Sequence, residues 1–257
     1  MKRFITTILI CFTAIAAAQA QTDELTQQPQ KNSWGAGMKQ SNFHMGLDLQ
    51  TKYVWRGMEM MTVNSAPVLF PSVSYSNKGF YVYAMGGYAV NGQYAEVDLG
   101  VSYTWKWLTI ALNDYYYPST TSALDNYFTW NRTSTGHWLE GAVTVAPEKI
   151  PAYLTVSNFF YGADRTTDGR QAYSTYVEIG TYYDFLENNR LSLALGAACN
   201  KSCYNGYERG FSICNIELKY TYDLTFRSGW SIPLNVAYII NPIYRKPFVN
   251  FSTSLAF

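Results

Sequence analysis

From Phe43 onward, apolar and polar residues trade places at nearly every step along the chain. Phe43, Met45, Leu47, Leu49, Tyr53 and Trp55 share one parity, while Gly46, Asp48, Gln50, Lys52 and Arg56 take the other. Ala95, Val97, Leu99, Val101, Tyr103 and Trp105 alternate with Glu96, Asp98, Gly100, Ser102 and Thr104. The same holds for Val177 and Ile179 against Glu178 and Gly180, and for Ile216, Leu218 and Tyr220 against Glu217 and Lys219. Successive strand side chains point to opposite faces, so this period of two predicts strands with one greasy and one polar side. No comparable stretch carries a helical period. The predicted strands span 43–55, 66–76, 79–90, 94–105, 107–117, 137–147, 152–162, 172–184, 190–199, 211–224, 229–240 and 248–257, twelve in all.

A soluble β-sandwich would alternate too, but its strands average about 5–6 residues. Those here run to about 10–12 residues, the length a tilted strand needs to cross hydrocarbon. Their apolar rows often begin or end in Tyr or Trp, as the interfacial girdles of membrane barrels do. The fold class is therefore all-β: a transmembrane antiparallel up-and-down barrel of about twelve strands. Fourteen would result if the segment 118–136 contributed a further hairpin through Asn126–Asn131. Alternate turns are short, at 76–79, 106, 146–151, 185–189 and 225–228, and the remaining connections, at 56–65, 91–93, 118–136, 163–171, 200–210 and 241–247, form the outer loops.

Composition agrees with this picture. Only 14% of residues are charged and 17% are aromatic, against roughly 25% charged in an ordinary soluble domain. A mean hydropathy of −0.15 excludes a helical membrane protein but not a barrel, whose lipid face and wet face average out. A net charge of +1 gives no reason to expect nucleic acid as a partner.

The N-terminus reads as an export signal. Lys2 and Arg3 precede the apolar stretch Phe4–Ala18, and Ala18-Gln19-Ala20 fits the small-x-small cleavage rule. A signal peptide over 1–20 and a disordered polar leader over 21–42 are expected, with the barrel occupying 43–257. At the other end, Val249, Phe251, Leu255 and Phe257 alternate up to a terminal Phe. This ending resembles the assembly signal of bacterial outer-membrane β-barrels. The resemblance implies an integral outer-membrane location, outer-membrane lipids as surroundings, and recognition of Phe251, Leu255 and Phe257 by the barrel assembly machinery. Tyr53-Val54-Trp55-Arg56-Gly57, followed by Glu96, Trp138-Leu139-Glu140-Gly141 and Tyr176-Val177-Glu178, is similar to the Gcw-chp family of bacterial barrels. That resemblance implies fold and location, and supplies no reaction.

With the apolar rows turned to lipid, the other parity lines the lumen: Asp48, Lys52, Arg56, Glu96, Asp98, Glu140, Glu178, Glu217 and Lys219. Lys52 and Arg56 are expected on one strand, facing six carboxylates. Two arrangements fit. The charges pair in a network that largely plugs the barrel, or they line a narrow pore for small polar solutes. A third reading places function in the outer loops, where Arg132, His137, Asp164, Arg165, Asp168, Arg170, Glu208 and Arg209 are expected to be exposed, as a surface-binding or adhesin-like barrel.

Catalysis is not expected. The chain has two histidines, His44 and His137, in no recognised nucleophile spacing, and His137 is expected to be a solvated interfacial ring. No spacing suggests a metal site, and no cofactor is implied. Cys199, Cys203 and Cys214 surround the 200–210 loop. Cys199 and Cys214 flank one hairpin with shared outward parity, so a disulfide between them is geometrically open. A pairing through Cys203 and three free thiols are the alternatives.

Overall fold

The structure, a computed structural model, describes residues 42–118, 126–227 and 230–256. The expected signal peptide 1–20, all but Asn42 of the leader, and Phe257 lie outside the described residues. The strands are β1 (Phe43–Gln50), β2 (Val54–Trp55), β3 (Met58–Glu59), β4 (Val68–Asn77), β5 (Phe80–Ala89), β6 (Ala95–Trp105) and β7 (Leu108–Tyr116), then β8 (His137–Val145), β9 (Ala152–Gly162), β10 (Thr175–Asp184), β11 (Asn189–Ala198), β12 (Ser212–Thr225), β13 (Ser231–Asn241) and β14 (Lys246–Ala256). Twelve of them close into one antiparallel barrel, each beside its sequence neighbour, with β1 pairing both β4 and β14. The remaining two, β2 and β3, pair only with each other. No helix among the described residues is long and apolar enough to cross a membrane.

The period of two translates directly into an inside and an outside. On β6, Leu99, Val101, Tyr103 and Trp105 are exposed, whereas Glu96, Asp98 and Ser102 are buried. On β7, Ile110 and Leu112 face out while Thr109, Ala111, Asn113 and Tyr115 face in. The greasy wall has a measurable consequence. A cation at the middle of a lipid-facing strand costs about 2–4 kcal/mol. Leu112→Arg, at the centre of β7, should lower barrel stability by about that much in reversible denaturant titrations from vesicles. An unchanged midpoint would mean that this face does not meet hydrocarbon.

The short turns fall where the sequence places them. Lys78 and Gly79 both have positive φ (47° and 87°) between the paired residues Asn77 and Phe80, the two-residue turn whose twist suits a hairpin. The opposite end carries 51–67, 90–94, 117–136, 163–174, 199–211 and 242–245, four of which are longer than any turn at the first end. Asn126 and Asn131 accept turn bonds from Thr129, Ser134 and Thr135; among the described residues no strand lies in 126–136, and the barrel closes with twelve.

One boundary departs from the sequence reading. β1 stops at Gln50, five residues short of the predicted end at Trp55. The ladder is released there because Asn250 Oδ1 accepts from the Lys52 amide (3.0 Å) and Thr51 Oγ1 accepts from the Phe251 amide (2.9 Å). The chain then turns into the barrel rather than running along its wall. Lys52 and Arg56 consequently share no strand.

Candidate functional site

The sequence predicts a strand through Trp55, an outer loop over 56–65 and the next strand from 66. The segment 51–67 is instead a small hairpin seated inside the barrel, with Tyr53, Trp55, Arg56, Gly57 and Met61 buried. Trp55 pairs with Met58 across a two-residue tip, Arg56-Gly57. Both tip residues have positive φ, 49° and 75°. Such a turn is favoured when glycine occupies a left-handed position. Gly57 is needed for a second reason. A Cβ there would fall inside the Cys214 carbonyl group on the wall, while the Gly57 carbonyl accepts from Asn241 Nδ2 at 2.9 Å.

At the tip, Arg56 is locked from every side. Its guanidinium is 2% exposed and forms a two-pronged pair with the fully buried Glu140 of β8, through Nη1 to Oε1 and Nη2 to Oε2 (3.1 Å for the second). Nη1 also donates to the Tyr204 hydroxyl, and Tyr115 donates to Glu140 Oε2 at 3.0 Å. The guanidinium lies 4.4 Å from the Trp55 ring and 4.8 Å from that of Tyr176. A forked Arg–carboxylate pair is among the stronger polar contacts available, and aromatic faces add to it. Tyr204 comes from the short helical turn Cys203–Asn205 in the 199–211 loop, so two separate loops meet on this one arginine.

Aromatic rings fill the surrounding cross-section. Tyr53 packs on Phe70 and Tyr94, with ring centres 4.9 and 5.5 Å apart, and Trp55 packs on Tyr115, Phe159 and Tyr204 at 5.7, 6.2 and 5.8 Å. Two irregularities of the wall lie at this level. β8 and β9 slip register at Leu139/Glu140, and β11 and β12 slip at Gly196/Ala197. Such bulges re-aim side chains, here at the residues that receive the tip, Glu140 and Cys214.

The remaining sequence-predicted lumen residues are placed as follows. Glu96 and Asp98 are buried on β6, with Tyr94 donating to Glu96. Glu178 on β10 is buried and accepts from Tyr153 (2.7 Å), Tyr176 and Asn215 (3.3 Å). Glu217 and Lys219 are buried on β12, and Asp48 is half-buried on β1. Lys52 does not reach the deep carboxylates. It pairs with Glu59 on β3 and donates to Ser65 at 3.2 Å, so it ties the hairpin to itself. Phe251 is exposed on β14, which also carries Leu255.

Solved structures similar to this chain include a porin, a bacterial outer-membrane secretin and an outer-membrane channel. A membrane protein from a study of in-meso crystallization superposes with a TM-score of 0.48 at 9% identity, covering 84% of this chain and 83% of the other. The KdgM porin in complex with disordered oligogalacturonate gives 0.44 at 11%, covering 84% and 97%. The translocator domain of the autotransporter NalP from Neisseria meningitidis gives 0.40 at 8%, covering 93% and 96%. No family model and no curated protein matches the chain. Identities this low carry no substrate or partner across.

Three expectations about individual side chains are corrected. Cys199 and Cys214 do not share an outward face: Cys199 is exposed while Cys214 is buried, and both thiols, like that of Cys203, are free. The cause is the bulge, which pairs Gly196 with Asn215 and Ala197 with Ile213, leaving Cys214 as the extra residue. Burial pushes the Cys203 thiol well above its ordinary pKa. Alkylation under native conditions should therefore modify Cys199 first, with Cys203 and Cys214 reacting only after unfolding. Peptide mass mapping would check this, and equal labelling of all three would refute the placement.

His137 is not a solvated ring. It is fully buried, with Nδ1 2.8 Å from Asp114 Oδ2, Nε2 2.6 Å from the Tyr127 carbonyl, and Trp130 stacked on it at 3.8 Å. Asp164, read as an exposed loop charge, is also fully buried. It accepts from the Ser174 amide (2.7 Å), the Ser174 hydroxyl (2.6 Å) and the Tyr207 hydroxyl (3.2 Å).

The residues that sequence reasoning missed are Glu59, Tyr115, Tyr204 and Asn241. Tyr204 and Asn241 meet the tip only across more than 140 residues of chain, and no local spacing signals them.

Proposed function

We propose that this protein is an integral barrel of the bacterial outer membrane that is held shut by its own first long loop, the hairpin within 51–67. The Arg56–Glu140 pair fastens that hairpin, and small polar solutes pass only when it withdraws. The exposed apolar wall with its Tyr and Trp residues supports the membrane setting, and the alternating terminal strand supports delivery by the assembly machinery. The observation that carries the reading is the two-pronged pair between Arg56 at the hairpin tip and Glu140 on the opposing wall. A cation placed to select solutes in an open pore would face water. This one is enclosed by Glu140, Tyr204, Trp55 and Tyr176. The inner part of the lumen offers the short side chains of Ser72, Ser102, Thr109, Thr144, Thr155 and Ser192 beside the longer Tyr81, Tyr153 and Lys219. The hairpin supplies closure at its own level of the barrel. The Gcw-chp likeness rests on Tyr53-Val54-Trp55-Arg56-Gly57, the arm and tip of this same hairpin. No catalytic role is proposed, in keeping with His137, whose two ring nitrogens are both taken by Asp114 and the Tyr127 carbonyl.

Planar-bilayer recording tests the proposal. The intact protein should show no discrete steps above leak, and a variant with 52–66 replaced by a short Gly-Ser turn should conduct. Steady conductance of the intact protein, unchanged by that replacement, would refute closure by the hairpin.

A further inference from the structure

At the long-loop end, away from the hairpin tip, three loops form the walls of a cleft of about 740 Å³, within the size range of small-molecule sites, about 300–1,000 Å³. It is lined by four cations, Arg132, Arg165, Arg170 and Lys201, and by Gln171 and Tyr173. No carboxylate is among its lining residues.

Among the described residues, one of these cations has a carboxylate partner. Arg165 donates through Nε to the Gly162 carbonyl at 3.2 Å and through Nη2 to the Arg132 carbonyl. Those partners fix its direction but leave its charge uncancelled. Among the described residues, neither Arg132, Arg165 nor Lys201 pairs with a carboxylate. Only Arg170 does, with Asp168 at 2.7 Å, and Asp168 is kept below the usual carboxylate pKa by the Thr166 hydroxyl and by Arg170. Like charges gathered in one concavity repel each other and concentrate anions.

The floor of the cleft is rigid. Buried Asp164 pins Ser174, and Asn200 donates to the Ala172 and Tyr173 carbonyls at 3.2 and 3.0 Å. Two more donors, Asn158 and Thr175, reach the Tyr173 carbonyl at 2.9 Å each. They hold Tyr173 at a φ of 52°, rare for an aromatic residue, with its ring about half exposed at the cleft. A guanidinium aimed by two carbonyls, further cations around it and an exposed aromatic face are the parts that recognise an acidic sugar.

We propose that this cleft binds a saccharide bearing phosphate or carboxylate groups, drawn either from a free acidic oligosaccharide or from the headgroup of a phosphorylated glycolipid. The forked donors of Arg165 and Arg132 meet the acidic groups, Lys201 adds charge, and a sugar ring lies on Tyr173. The inference does not rest on closure of the lumen.

Calorimetric titration of the full chain in a zwitterionic detergent tests this. The probes are trigalacturonic acid, fructose 1,6-bisphosphate and, as the neutral match, maltotriose. Vesicles holding a bisphosphorylated glucosamine-disaccharide lipid form the second arm. At least one acidic probe should bind, more weakly as salt rises, and maltotriose should not. Arg165→Gln and the double variant Arg132→Gln with Lys201→Gln should each weaken binding tenfold or more. The double variant changes exposed side chains only, and the heat-dependent gel shift of a folded barrel shows that it is intact. Binding by the soluble acids identifies a free saccharide as the source, and binding by the vesicles alone identifies the lipid headgroup. If no acidic probe binds better than maltotriose, or if both variants bind as the parent does, the cleft is not such a site.

Discussion

Glu140→Ala should open the barrel. The substitution leaves the Arg56 guanidinium buried among Trp55, Tyr176 and Tyr204 with its carboxylate partner gone. Removing one member of a buried pair typically costs about 3–5 kcal/mol, because the surviving charge stays desolvated. The hairpin can avoid most of that cost by withdrawing, which returns Arg56 to water. The cost then appears as lost closure rather than lost folding, since the wall ladders are untouched. Two readouts follow: discrete conductance steps in planar bilayers, and tryptic cleavage after Arg56, which is protected while the tip is seated. Glu140→Gln keeps the shape and one acceptor, and should fall between the parent and Glu140→Ala. A Glu140→Ala protein that stays quiet and uncut would show that the pair does not hold the hairpin.

Gly57→Val should be comparably severe for a different physical reason. No charge changes, but the new Cβ collides with the Cys214 carbonyl, and its carbonyl carbon would lie 2.9 Å away. A backbone atom on a wall strand cannot swing aside as a flexible side chain does. A left-handed φ adds about 1–2 kcal/mol for a residue with a Cβ, more for a β-branched one. The tip should therefore fail to seat while the twelve-stranded wall still forms. Gly57→Val would share the conductance of Glu140→Ala yet keep its circular dichroism. If Gly57→Val remained closed, the tip could not lie against Cys214.

The wall was legible and its contents were not, for reasons that particular residues make plain. Along β6, β10 and β12 the side that a residue faces is decided by its own strand, so Glu96, Glu178 and Glu217 could be assigned inward from parity alone. Tyr53 and Trp55 keep the parity of β1, and a short hairpin alternates just as a strand does, so the turn into the lumen left no break in the pattern. The signal that existed was Arg56-Gly57, half of a two-residue turn signature, since arginine is an uncommon occupant of a left-handed position. His137 and Asp164 look like ordinary rim polar residues because what covers them, Tyr127 and Trp130 for one and Ser174 and Tyr207 for the other, arrives by loop folding. Cys214 was misplaced by a single extra residue in β12, and one residue reverses parity.

The position of the Trp55 indole decides the matter most directly. In the intact protein in micelles, isotope-edited NMR should give through-space contacts from the Trp55 ring to the rings of Tyr115 and Tyr204, whose centres lie 5.7 and 5.8 Å away. Its indole N–H should be shielded from water. An indole that exchanges freely with solvent and contacts neither ring would place the hairpin outside the barrel and leave the lumen without its closure.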